Sequence, residues 1–136
     1  MISIEIEGKP IAWKAARVLK SGRTYSEHTK RKQGIQWELK SKFDGPLLEG
    51  PIHLSLSFYF LPAKKASKKD KANMLKGLIH YTKKPDVSNL VKFIEDCCTQ
   101  TIWVDDRQII SVTAEKSYDT RERTEIFIEE VPLWTA

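Results

Sequence analysis

Between Ile52 and Phe60 the chain alternates without a break. Ile52, Leu54, Leu56, Phe58 and Phe60 are apolar, and His53, Ser55, Ser57 and Tyr59 stand between them. A period of two puts the first set on one side of an extended chain, which predicts a strand with a central place in its sheet. Ile2, Ile4 and Ile6 alternate with Ser3, Glu5 and Glu7 in the same way, up to Gly8-Lys9-Pro10. Gln108 to Thr113 reads as a further strand with Ile109 or Ile110 inward. After a turn region at Tyr118-Asp119 and Arg121-Glu122, Thr124, Ile126 and Ile128 predict the last strand, bounded by Pro132.

Two segments carry a helical period instead. One starts near Ser26 and runs to about Phe43 on a face of Ile35, Leu39 and Phe43, and Asp44-Gly45-Pro46 stops it. The other follows Pro85, with Asp86 and Ser88 both able to cap it. Its face of Leu90, Val91, Phe93, Ile94, Cys97 and Cys98 is broad and apolar, while Glu95 and Asp96 continue a polar face away from the core. Thr99 to Thr101 close it. The order of strands and helices predicts an α+β fold of two layers, a mixed β-sheet with two main helices packed on it. At 136 residues it forms a single domain, residues 1–136, with a lysine-rich insert at about 63–78 in which a short helix fits between Ser67 and Leu75.

Composition adds limits. No apolar run reaches the 18 residues that would span a membrane, and the first residues lack a signal-peptide pattern, which favours the cytoplasm. The adjacent Cys97 and Cys98 read as buried thiols, and His53 as a surface histidine. The net charge of +5 is unevenly spread: residues 1 to 43 hold ten Lys or Arg against four acidic residues. Residues 64 to 76 hold six Lys against one Asp, and the segment from Asp119 to Glu130 is acidic. Segregated positive charge favours a polyanionic partner through counterion release. The arm from Ile11 to Tyr25, turning at Ser21-Gly22, carries Trp13, Lys14, Arg17, Lys20 and Arg23. It suits phosphate contacts, and a solvated hairpin with one anchoring tryptophan accounts for it equally. The lysine insert likewise faces DNA or only solvent.

The chemistry-bearing residues flank the second helix: Lys83, Lys84 and Asp86 before it, Asn89 and Lys92 on its first turns, Asp105 and Asp106 after it. Carboxylates suit Mg²⁺ or Mn²⁺, which take few protein oxygens together with waters and substrate phosphates. Such an ion makes a nucleophile of bound water and steadies charge on a phosphate, and a nearby lysine assists. A fold-back of the chain would bring Asp86 and Asp106 to one ion. Read alone, Lys-Pro-Asp is also a helix cap and Asp-Asp a turn.

The run Lys84-Pro85-Asp86-Val87-Ser88-Asn89-Leu90-Val91-Lys92-Phe93, with Trp103-Val104-Asp105-Asp106-Arg107-Gln108-Ile109 after it, resembles the signature of the RusA family. A weaker likeness extends to Gly8-Lys9-Pro10, the basic arm through Arg23, and Tyr25-Ser26. These are Holliday-junction resolvases, often prophage-encoded: homodimeric, metal-dependent endodeoxyribonucleases that bind four-way DNA junctions and nick two strands symmetrically, in recombination and repair. The resemblance implies Mg²⁺ (or Mn²⁺) held by Asp86 and Asp106 with Asp105 beside them, and Lys92 acting on the phosphate or the attacking water. DNA contacts are expected at Lys14, Arg17, Arg23, Lys83, Lys84 and Asn89. The family pattern Pro-Asp-x-Asp-Asn is here Pro-Asp-Val-Ser-Asn. Ser88 therefore stands where an acidic ligand is expected, and a binding protein of the same fold that cuts weakly or not at all is the alternative.

Overall fold

The computed structural model describes residues 1–14, 17–18, 24–25 and 27–134. Six strands and three helices follow one another as β1 (Ile2–Glu7), β2 (Arg17–Val18), β3 (Thr24–Tyr25), α1 (Glu27–Lys42), β4 (Ile52–Phe60), α2 (Lys68–Leu75), α3 (Val87–Cys98), β5 (Ile109–Tyr118) and β6 (Arg123–Glu130). Four strands form one mixed sheet in the order β1-β6-β4-β5, and β2 pairs with β3 in a separate ribbon. The expected turn at Ser21-Gly22, together with Lys20, Arg23 and Ser26, lies outside the described residues.

β4 is interior, as its unbroken alternation predicts. It runs antiparallel to β6 and parallel to β5. Ile52, Leu54, Leu56, Phe58 and Phe60 are buried, joined by Ile4 and Ile6 of β1 and Ile126 and Ile128 of β6. On this face lie α1 and α3, which pack against each other. From α3 come Leu90, Phe93, Ile94, Cys97 and Cys98, all buried; from α1 comes Leu39, with Ile35 and, just past the helix end, Phe43 partly covered. The structure is thus an α+β fold with helices on one face of a mixed sheet. Both cysteines are free, and burial pushes the Cys97 thiol up to about 12.

The opposite face of the sheet is open. Glu5, Glu125, Ser57 and Glu115 form one row across its four strands, and Glu7, Arg123, Tyr59 and Ser117 the next. Arg121 pairs with Glu5 and Glu7, and Arg123 with Asp119 and Glu125. β5 is longer than the alternation predicts, reaching Tyr118. Ile109 packs against the core while Ile110 is exposed. The four-residue turn at 119–122 then carries the chain past the end of β4, where Asp119 donates its N–H to Phe60. The lysine-rich insert holds α2, capped by Ser67, whose hydroxyl accepts the Asp70 N–H at 3.1 Å. Only Met74 of α2 is buried, so its lysines stay at the surface. No described helix is long and apolar enough to cross a membrane.

Candidate active site

The segment before α3 is fixed by its own carbonyls. Lys116 of β5 donates from Nζ to the carbonyls of Lys83 and Pro85, both at 2.9 Å. Tyr81 donates its hydroxyl to the Lys84 carbonyl at 2.6 Å, and its ring stacks on Phe60 with centroids 4.2 Å apart. Three successive carbonyls are therefore tied to the sheet. Burial, with Tyr118 and Glu122 nearby, raises the Tyr81 phenol above its ordinary value, so it stays a hydrogen-bond donor at neutral pH.

Asp86 follows this tie as the residue that opens α3. Its backbone carbonyl accepts the Leu90 N–H, but its carboxylate makes no capping hydrogen bond and lies exposed at the helix N-terminus. That end of a helix favours negative charge. Ser88 is the second residue of α3 and is exposed, so it does not cap the helix as the sequence allowed. It stands one turn before Lys92 on the same face.

The base of the basic arm closes on this turn. Trp13 donates its backbone N–H to the Asn89 carbonyl at 2.9 Å, and Lys92 Nζ lies 3.6 Å from the centroid of the Trp13 ring. Lys14 follows, exposed. Close by, His28 of α1 meets Phe93 edge to face at 5.0 Å. Its imidazole is held below the ordinary value, chiefly by burial; Asp96 opposes this, while Lys32, Lys14 and Arg31 reinforce it. The arm, the start of α1 and the first turns of α3 thus gather lysine and arginine in one place. Arg17 lies in β2 and Arg23 outside the described residues.

Asp106 sits at the other end of α3. Thr99, which closes that helix, and Trp103, fully buried, both converge on its Oδ1: the Thr99 hydroxyl, and the indole N–H at 3.0 Å. Gln100 makes the tight turn between them in a left-handed conformation (φ 63°). Asp105 caps the short 3₁₀ turn Asp106–Gln108, its Oδ1 accepting the Arg107 N–H at 2.9 Å. Gln108 accepts the Asp105 N–H and donates to the carbonyls of Leu48 and Gly50.

One carboxylate expected only on a polar face away from the core belongs beside Asp106. Glu95 is half-buried, and its carboxyl is raised above the ordinary value by burial first, then by Asp106 and Asp96. Its place one turn before Thr99 was the available signal.

The expected meeting of Asp86 and Asp106 does not occur within one chain. They stand at opposite ends of α3, whose 12 residues span roughly 18 Å. β5 starts beside Asp106 and returns along the helix to Lys116, next to Pro85. Among the described residues no three His, Cys, Asp or Glu side chains cluster as a metal site.

Comparison with known proteins places these residues in a family. The model of the RusA family, "Endodeoxyribonuclease RusA", matches residues 7–129. The chain is also 36% identical over 87 residues to "Uncharacterized protein YqaN" of Bacillus subtilis (strain 168). That match covers 62% of this chain and 61% of the relative, so the chain spans less than two thirds of the relative's length.

Proposed function

Because this chain belongs to the RusA family, we propose that it is a cytoplasmic, divalent-metal-dependent endodeoxyribonuclease that binds four-way DNA junctions and resolves them by paired symmetric nicks. The observation that carries this reading is the preparation of two separate carboxylates. Asp86 is presented by a loop with three anchored carbonyls, and Asp106 by two converging donors.

Their oxygens suit Mg²⁺ or Mn²⁺ in type, since Mg²⁺ binds through one or two carboxylates and fills its shell with water and phosphate. Separated by the length of α3, they suit one ion only when two chains meet with these helices reversed. A two-fold homodimer does this twice, giving the two equivalent sites that two symmetric cuts need. When bound, the ion supplies an activated water and stabilises charge on the phosphate. Asp86 and Asp106 would hold it, with Asp105 shaping the turn and adding an oxygen. Lys92, exposed on the first turns of α3, would meet the phosphate, its position steadied by the Trp13 ring. Lys14, Arg17, Arg23, Lys83, Lys84 and Asn89 would contact the DNA backbone.

A second reading has its own observation. Position 88, exposed beside Lys92, is a serine where the family motif carries an aspartate, which removes one anionic oxygen donor. The fold would then bind branched DNA without cutting it efficiently. Incubation of the protein with a labelled four-way junction and with linear duplex, with Mg²⁺ or Mn²⁺, tests both. Paired nicks confined to the junction support the nuclease; retention of the junction in a gel at salt that strips duplex, without nicks, supports the binding protein. Neither nicks nor selective retention would sink both readings.

A further inference from the structure

We propose that the free edge of β5, over Ile110 to Thr113, is the surface on which two copies of this chain pair, antiparallel, across a two-fold axis. The inference names the surface for the homodimer put forward above and rests on it.

Among the described residues β5 pairs on one side only, with β4. Its other edge presents unpaired backbone groups. Ile110, Ser111, Val112 and Thr113 are four consecutive exposed residues, Ile110 being 59% and Val112 43% exposed. Val112 aligns with the buried Leu54 and so faces the helix side, where the helix layer stops short of it. Ile110 is the extra residue where the pairing with β4 shifts register.

Edges that must stay unpaired carry lysine, proline or inward charge. This one carries Ile-Ser-Val-Thr, strand-forming residues with no charge among them.

The occupant follows from what lies at the two ends of β5. Asp105 and Asp106 precede its start; near its finish Lys116 is joined to the Lys83–Pro85 loop. A second copy laid antiparallel sets Asp105 and Asp106 of each chain beside the loop of the other that bears Lys83, Lys84 and Asp86. Strand-edge pairing is self-complementary, and the antiparallel direction is the one that brings Asp106 of one chain to the Asp86 end of the other, across the separation that α3 imposes within one chain. The exposed, uncharged stretch of β5 ends at Thr113, before the partly buried Ala114 and the charged Glu115. The axis therefore falls near Ser111 and Val112.

The test uses the full chain without DNA. The wild type is expected to sediment as two chains, and Val112→Lys as one, with unchanged far-UV circular dichroism. Ser111→Cys treated with a short bis-maleimide is expected to give a cross-linked pair, while Ser41→Cys on α1 gives none; the native Cys97 and Cys98 are fully buried and stay silent. Should Val112→Lys fail to fold, the Ser111→Cys cross-link decides. A monomeric wild type, or a dimer that survives Val112→Lys with Ser111→Cys silent, overturns the pairing. A chain that pairs and cross-links here yet neither retains nor cuts junctions supports the surface and overturns the functional reading instead. Junction cutting by a dimer that ignores both substitutions overturns the surface alone.

Discussion

Trp103 donates its indole N–H to Oδ1 of Asp106 across 3.0 Å, from a side chain with no exposed surface. A buried ring thereby sets the direction of a carboxylate at the protein surface. The Thr99 hydroxyl points at the same oxygen, so the orientation is set from two sides.

Replacing Trp103 by Phe keeps most of the buried volume and removes the donor. Loss of one hydrogen bond to a charged group is expected to cost about 1–3 kcal/mol of stability. Nicking should fall further than stability explains, by roughly 10- to 100-fold, as when an outer partner of a metal ligand is lost. Thermal unfolding and junction nicking on one preparation check this; nicking that tracks stability alone would show that Asp106 needs no such guide.

Lys116 is expected to act through the carbonyls of Lys83 and Pro85, which it ties to β5. Lys116→Met should leave both unanchored and loosen the residues before Asp86. Activity should drop about tenfold or more, because catalysis is sensitive to small displacements. The Mg²⁺ concentration for half-maximal nicking should rise as well, and Lys116→Arg should recover part of the loss. An unchanged metal dependence would remove Lys116 from any part in placing Asp86.

At position 88, restoring aspartate adds an oxygen donor one turn before Lys92. Ser88→Asp should raise Mg²⁺-dependent nicking of a junction and lower the metal concentration required. A metal titration comparing the two proteins reads both effects, and superimposable curves would count against the lost-ligand account.

Glu95 gives a pH dependence with a definite sign. Its carboxyl is raised in the folded protein, by burial first and then by Asp106 and Asp96. A folded value above the unfolded one means the group helps stability at low pH and loses that contribution as pH rises through the folded value. Glu95→Gln should therefore raise the melting temperature at pH 7. The advantage should shrink as pH falls toward the ordinary glutamate value of 4.5 and vanish below it. Melting curves from pH 4 to 8 test it; an advantage constant across that range would remove ionisation of Glu95 as the cause.

Much of this architecture was legible in period and punctuation. The alternation of Ile52 to Phe60 marked an interior strand, and the face from Leu90 to Cys98 a packed helix, because burial imposes those periods directly. The short helix of the lysine insert also formed where Ser67 could cap it. Contacts between distant residues were not legible: nothing local says that Lys116 reaches the carbonyls of Lys83 and Pro85, or that the Tyr81 ring stacks on Phe60. The separation of Asp86 from Asp106 is legible in the sequence. Twelve residues of helix between two motifs already set them roughly 18 Å apart, and a strand starting at the far end leaves the second motif there. Asp86 and Ser88 are both of the residue types that cap helices, so the sequence leaves the choice open; Asp86 opens the helix and Ser88 lies inside its first turn.

The open side of the sheet bears Glu5, Glu125 and Glu115 in a single row, while Lys92, Lys14 and the lysines at the start of α1 lie on the helix side. The molecule therefore has two poles. Arg121 and Arg123 offset only part of the acidic charge on that face; under the proposed function a nucleic acid drifting toward it would be turned away and one approaching the helices drawn in, so the choice of docking orientation would begin before contact. Added salt shortens the reach of that guidance to about 8 Å at physiological strength. Arrivals at the wrong side should then become more frequent even where the final bound complex is the same.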